Sequence, residues 1–278
     1  MQGEIVKILS DTHFVKIKEE IIPCKCPGKF RNQKIVPLVG DVVIFDPDKK
    51  IIEQILPRKN EFIRPSVANI DQAFIVTSLK HPDFSSDLLD KLITIMEINH
   101  VKPIICITKE DLLSKNTKKE IKPIIKYYKK IGYKVISNKK LTKVKRLLKG
   151  KTSVLTGQTG AGKSTLLNKL NKSLSLETGE ISLALGRGKH TTRHVELISM
   201  FKGKVLDTPG FSSLDFTNYT KDQIEKAFTE FQKYPCLYQD CLHINETSDT
   251  CGIKKAAEKG EILKTRYENY LKLIKQAR

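Results

Sequence analysis

No stretch of this 278-residue chain runs to 18 consecutive apolar residues, so a helical membrane span is excluded. The opening Met1–Asp11 (MQGEIVKILSD) has no apolar h-region, and no secretory signal is expected. There is no amphipathic or lipid-bearing terminus to suggest a membrane partner. Internal repeats and long low-complexity tracts are also missing. Acidic residues are in short supply: 31 Asp and Glu stand against 50 Lys and Arg, a formal net charge of +19. That surplus points to an anionic partner, most naturally nucleic acid, although lysines scattered over solvated faces would look similar. The expectation is a cytoplasmic protein of about two domains with a sizeable core.

One glycine-bearing octet organises what is present. Gly157-Gln158-Thr159-Gly160-Ala161-Gly162-Lys163-Ser164 matches G-x-x-x-x-G-K-[ST], the phosphate-binding P-loop. Lys151–Thr156 before it is a short β-branched strand, and Thr165–Leu170 after it begins a helix. A strand, a glycine loop and a helix N-terminus aim several backbone N–H groups at one point, which suits a polyphosphate. Lys163 is placed to reach the β- and γ-phosphates and Ser164 to ligate Mg²⁺.

Two further segments belong with a P-loop. Asp207-Thr208-Pro209-Gly210 ends an apolar strand and matches the D-x-x-G of GTPases. Asp207 would hold Mg²⁺ through water, and the Gly210 N–H would meet the γ-phosphate. Between the two lies a polar, glycine-bearing loop with Thr191 and Thr192, one of which completes the Mg²⁺ shell when GTP is bound; Thr191 is favoured.

Nothing after Asp207 resembles the N-K-x-D that reads guanine. Before the P-loop, Thr108-Lys109-Glu110-Asp111 ends the buried strand Val101–Ile107. The Asp111 carboxylate would accept from guanine N1 and N2, a contact adenine does not offer. Thr108 stands in the Asn position, with some loss of hydrogen bonding. Ser137-Asn138 ends the strand Tyr133–Ser137 and is placed for a backbone contact to the base. The order is base reader, P-loop, threonine loop, D-x-x-G. Joined termini and a new opening keep such a site intact in space.

Flanking regions read differently. Met1 to Pro65 holds short alternating stretches at Glu4–Leu9, His13–Ile17, Val42–Phe45 and Lys50–Ile55, separated by turn residues. Five or so such strands fit an OB-type β-barrel. Cys24-x-Cys26 is too close for paired zinc ligands and reads as structural or incidental. Arg58–Pro65 is a basic linker. From Ala73 on, strands alternate with helices, implying βα units and a mostly parallel sheet. Thr220–Gln223 is a capping box before a helix carrying Ile224, Ala227, Phe228 and Phe231. Ile262–Ile274 is a last amphipathic helix.

Cys236-x₄-Cys241-x-His243-x₇-Cys251 offers three thiolates and one imidazole. That is a closed tetrahedral set of the structural-zinc kind, with no open position for catalysis. One zinc per chain is expected, stapling a module with a small core.

These residues carry a resemblance. LVGDVV, RPSVANIDQ (Arg64–Gln72), TKED, GQTGAGKS, GRGKHTTRH, DTPGF, the cysteine cluster and RYENY (Arg266–Tyr270) together resemble the RsgA (YjeQ-type) circularly permuted GTPases over nearly the whole chain. The resemblance implies an OB-type barrel at 1–65, a circularly permuted α/β P-loop GTPase domain at 66–215 and a helical zinc-binding module at 216–278. It implies a monomeric late assembly factor of the small ribosomal subunit that contacts rRNA, with that particle stimulating hydrolysis of GTP to GDP. Nucleotide-binding residues would be Thr108, Lys109, Asp111, Ser137, Gly157–Thr165, Asp207 and Gly210. Phe211 follows D-x-x-G where Ras-type enzymes orient water nearby with Gln. His190, next to the threonines, is the candidate for that role, as the resemblance implies for the family; His194 is the alternative. A pure RNA-binding module that senses guanine nucleotide without turnover is the competing reading.

Overall fold

The computed structural model describes residues 1–33, 35–62, 65–171, 195–207 and 214–278. In chain order the elements are β1 (Gln2–Leu9), β2 (Thr12–Ile17), β3 (Glu20–Cys24), α1 (Lys29–Asn32), β4 (Val42–Asp46), β5 (Ile51–Ile55), β6 (Glu61–Phe62), β7 (Val67–Ala68) and β8 (Gln72–Ser78). There follow α2 (Ser86–Ile98), β9 (Lys102–Thr108), α3 (Lys115–Lys130), β10 (Lys134–Ser137), α4 (Leu141–Leu148), β11 (Thr152–Thr156) and α5 (Lys163–Leu170). The last are β12 (Glu196–Met200), β13 (Gly203–Asp207), α6 (Lys221–Ala227), α7 (Gly252–Glu258) and α8 (Lys264–Ile274). The described residues divide into two compact units. One lies within Met1–Phe74, Lys140–Thr156 and Gly162–Ser212, the other within Ile75–Lys139, Gly157–Ala161 and Ser213–Arg278.

The first unit contains a closed five-stranded barrel. β1 pairs antiparallel with both β2 and β4, and a bulge between Ile5 and Lys7 bends it to serve both neighbours. β2 continues to β3 and β4 to β5. A parallel bridge between Lys25 and Ile51 joins the two free edges, with Lys25 N–H donating to the Lys50 carbonyl at 2.8 Å and Ile52 N–H to the Lys25 carbonyl at 2.9 Å. Ile5, Val15, Cys24, Phe30, Val43, Phe45 and Ile52 fill the interior. This is the OB-type connectivity the strand count suggested. β3 escaped the sequence reading because Pro23 looks like a turn. On this strand proline's missing N–H is tolerated, since its only ladder partner in β2 is Phe14.

Arg58, expected in a free linker, is anchored. Its guanidinium forks onto the fully buried Asp41 carboxylate at 2.7 and 2.8 Å and reaches the Val36 carbonyl at 2.6 Å. Asp41 also accepts from Leu38 N–H at 2.7 Å. Gly40 before it has φ +95°, and a Cβ there would lie 2.2 Å from the Ala68 carbonyl oxygen. The LVGDVV run is therefore a buried ionic corner that only glycine can turn. Asn69–Gln72 is pinned as firmly: Asn69 donates to the Gly40 carbonyl, Asp71 accepts from Thr152 N–H, and Gln72 donates to Ser153 and the Leu147 carbonyl. Beyond the barrel, β13 runs parallel to β11 and antiparallel to β12, and β12 meets β1 through the Lys7–Glu196 ion pair at 2.9 Å. The helix α4 was hidden in the sequence by its three basic residues; Val144 and Leu148 are its buried side.

In the second unit, β9 lies between β8 and β10, with β10 parallel to it. β8 is buried along its whole length and β9 along all but its first residue, as strands covered on both faces must be. Ser85 caps α2 by accepting from Leu88 N–H at 3.2 Å. Thr220 and Gln223 form the expected capping box on α6. That helix ends at Ala227, however, and a 3-10 turn over Thr229–Lys233 carries Phe231. Tyr270 packs edge to face on Phe228 and on Phe231 at about 5 Å.

α8 buries a charge that its hydrophobic pattern conceals. Arg266 is fully buried; its guanidinium meets Asp90 of α2 at 2.6 Å and Glu230 at 2.8 Å, and lies 4.0 Å over the Phe228 ring. Tyr128 and Asn269 complete the shell of Asp90 at 2.6 and 2.7 Å. On the same helix, Tyr267 donates to the His243 carbonyl at 2.6 Å and Tyr270 to the Leu242 carbonyl at 2.8 Å. The RYENY run thus ties α2 to the loop of the cysteine cluster.

Candidate nucleotide site and metal centre

β11 delivers the chain to Gly157 at Thr156, and α5 begins at Lys163. Gly157 has φ +134°, and a Cβ there would lie 2.1 Å from the Val76 carbonyl oxygen. The first glycine of the loop is therefore fixed by close approach to β8. Gly160 and Gly162 also hold positive φ, at +76° and +98°. Burial lowers the pKa of the Lys163 ammonium. A polyphosphate offsets such a penalty by supplying opposite charge.

The TKED segment emerges from the end of β9 in the second unit. The Thr108 side chain is buried and its hydroxyl donates to the Ala161 carbonyl at 2.6 Å. The Thr108 hydroxyl thus braces the TKED turn against the glycine loop. Lys109 takes a left-handed conformation, φ +55°, and its ammonium donates to the His81 carbonyl. Asp111 lies in a 3-10 turn over Glu110–Leu112, exposed, with Lys139 Nζ 3.1 Å away. Ser137 donates to the Glu110 carboxylate. The backbone N–H of Asn138 donates to the Ile107 carbonyl at 2.9 Å, so the segment after β10 is tied to β9. Thr108, Lys109, Asp111 and Ser137 are brought to one end of the β9–β10 pair. His190, Thr191, Thr192, His194 and Gly210 lie outside the described residues.

The cysteine cluster closes around one point. Cys236, Cys241, His243 and Cys251 each offer a ligand atom, all within 4.8 Å of one another. His243 Nδ1 faces the three sulfurs at 3.5, 3.2 and 3.4 Å, and Cys236 and Cys251 are 3.8 Å apart. Tetrahedral zinc, with bonds of about 2.3 Å to sulfur and about 2.0 Å to nitrogen, places its ligands at about these separations. The set fits a structural metal ion. His243 Nε2 is turned toward Glu225 Oε1 of α6 at 3.6 Å. Metal-bound imidazoles commonly engage a carboxylate at the far nitrogen. The sequence reading missed Glu225, because it lies eighteen positions before its partner with no spacing rule to link them. Cys24 and Cys26 take no part; Cys26 Sγ lies 3.6 Å from His13 Nδ1 in the barrel.

The family model of the RsgA GTPase matches residues 55–217, and that of the RsgA N-terminal domain matches residues 2–51. The chain belongs to the RsgA GTPase family. As a member it is a GTP-hydrolysing enzyme. Among relatives, the small ribosomal subunit biogenesis GTPase RsgA of Bacillus cereus (strain ATCC 10987 / NRS 248) is 41% identical over 287 residues, covering 100% of this chain and 97% of the relative. The protein of the same name from Geobacillus thermodenitrificans (strain NG80-2) is 43% identical over 283 residues, covering 98% and 96%. Among solved structures, YjeQ from Thermotoga maritima superposes with a TM-score of 0.84 at 34% identity, covering 98% of this chain and 96% of that one. YloQ, described as a circularly permuted GTPase, gives 0.82 at 36% identity, covering 99% and 93%. The RsgA fold explains the chain order found here, with TKED before the P-loop and Asp207 after it. No described helix is long and apolar enough to cross a membrane.

Proposed function

We propose that this chain acts in assembly of the small ribosomal subunit, binding that particle and hydrolysing GTP under its stimulation. The observation that carries the reading is the Thr108–Ala161 hydrogen bond, which couples a guanine-reading turn to a phosphate-binding loop in permuted order. The name shared by the relatives supports the partner, and the net charge of +19 suits rRNA.

In this reading Asp111 selects guanine, with Lys109 and Ser137 supporting the base pocket. Gly157–Gly162 cradle the phosphates together with Lys163, while Ser164, Thr191 and, through water, Asp207 serve Mg²⁺. Thr165 adds a phosphate contact, Gly210 senses the γ-phosphate and His190 orients water. The zinc ion on Cys236, Cys241, His243 and Cys251 holds the C-terminal module in shape. The organisation is an OB-type barrel at 1–65, the GTPase domain at 66–215 and the zinc module at 216–278, in a cytoplasmic monomer.

Turnover of GTP by the full chain, measured alone and with purified small subunits, tests the proposal. Stimulation by small subunits and none by large subunits is the expected result. Binding without any turnover in either condition would leave a nucleotide-sensing RNA-binding module instead.

A further inference from the structure

The helix α3 carries Lys115, Lys118, Lys119, Lys122, Lys126, Lys129 and Lys130, all exposed. At about 100° per residue these seven fall within an arc about 120° wide along one side of the helix. The acidic and buried residues of α3 lie off that arc: Glu120 falls about 140° from its centre, and Ile121, Tyr127 and Tyr128 are buried. The stripe is about 24 Å long at 1.5 Å per residue. Like charges three and four positions apart repel on a helix surface, so this arrangement opposes the helix it sits on. Asp111, just ahead of α3, pairs with Lys139.

We propose that this face of α3 docks on the phosphate backbone of double-helical RNA. Lysine ammoniums are mobile point charges that neutralise phosphates without reading bases. The two tyrosines of α3 are buried, so the face offers no ring for stacking unpaired bases, which single-strand binding requires. A straight cationic rod instead suits phosphates held at regular spacing along a duplex. The inference deepens the proposed function and rests on it for the identity of the RNA, which would be a helix of the small subunit.

The test uses the full-length protein with two triple variants that remove equal charge. The stripe variant is K118Q/K122Q/K126Q. The control is K102Q/K226Q/K259Q, exposed lysines on β9, on α6 and just after α7. Affinity for purified small subunits, and for a short RNA duplex and a single strand of equal length, is measured across a salt series. The stripe variant should lower the slope of log affinity against log salt by about three for subunits and duplex. The control should change it by less than about one. Circular dichroism and unstimulated GTP turnover should be unchanged in both variants. Equal changes in the two variants would make the effect bulk charge and overturn the proposal, as would wild-type behaviour of the stripe variant. Equal loss on single strand and duplex would overturn the double-helical partner. Failure of the wild type to bind subunits counts against the proposed function alone, because the duplex series still decides the role of α3.

Discussion

The Thr108 hydroxyl and the Ala161 carbonyl, 53 positions apart, lie 2.6 Å from each other in a buried hydrogen bond. Thr108→Val keeps the shape and removes the donor. The stranded carbonyl and the loosened turn should cost about 1–3 kcal/mol, read as an affinity for GDP and GTP weaker by about 5- to 150-fold in a fluorescence titration. Thr108→Asn can still donate and should bind about as well as wild type. Equal affinities across all three proteins would show that the bond does not position the base reader.

Asp111 is the proposed guanine contact. Exchanging its carboxylate for an amide in Asp111→Asn replaces two acceptors by an acceptor and a donor, which complements xanthine rather than guanine. Preference should therefore move from GTP toward xanthosine triphosphate, while Lys139, which now pairs with Asp111 at 3.1 Å, is freed. An unaltered preference would take Asp111 out of the base site.

The metal centre makes a prediction with an internal control. Elemental analysis should find about one zinc per chain. Cys236→Ser should lose it and Cys24→Ser should keep it. Glu225→Gln preserves size but weakens the acceptor facing His243 Nε2 at 3.6 Å. Zinc affinity in that variant should fall about 10- to 100-fold, measured by competition with a chelator. Zinc retained at full affinity in Glu225→Gln would show that the carboxylate does not tune the imidazole.

Sequence made some features legible and hid others for identifiable reasons. The P-loop motif, TKED and the set of Cys236, Cys241, His243 and Cys251 stand out in the sequence because their members lie close together along the chain. The barrel could be expected from alternation and turns, yet β3 was lost to Pro23. The partners of Arg58 and Arg266 are not visible in the sequence, since nothing local announces that Asp41, Asp90 and Glu230 wait elsewhere in the chain. Glu225 was invisible for the same reason. Long-range polar pairing has no period, and amphipathic patterning places a charged residue outside by default.

Arg266 offers a test of that buried network. Arg266→Ala leaves the carboxylates of Asp90 and Glu230 buried without their cation, at a cost of about 3–5 kcal/mol. A clear drop in melting temperature should follow, larger than for the exposed Lys264→Ala. Arg266→Lys should rescue little, because one ammonium cannot reproduce a fork that meets both acids. Tyr267 and Tyr270 of the same helix hold the carbonyls of His243 and Leu242, so zinc should also leave faster under chelator in Arg266→Ala. A melting temperature within a degree or so of wild type would refute the structural weight given to this arginine.

Hydrolysis needs a group that orients water, and Phe211 after D-x-x-G has no polar atom to do it. Unassisted Ras-type turnover is slow even with a glutamine, about 10⁻⁴ s⁻¹. His190 directly precedes Thr191, which is proposed for the Mg²⁺ shell, and its imidazole is the group proposed to orient the water. Imidazole accepts a hydrogen bond when neutral and titrates near working pH. The proposed stimulation by the subunit would then act through His190. His190→Ala should therefore keep its affinity for GTP and for small subunits while losing most of the stimulated rate, and His194→Ala should keep most of it. Equal stimulation of His190→Ala and wild type would transfer the role to His194 or to a group on the subunit. A parallel loss of subunit binding would instead mark His190 as part of the docking surface.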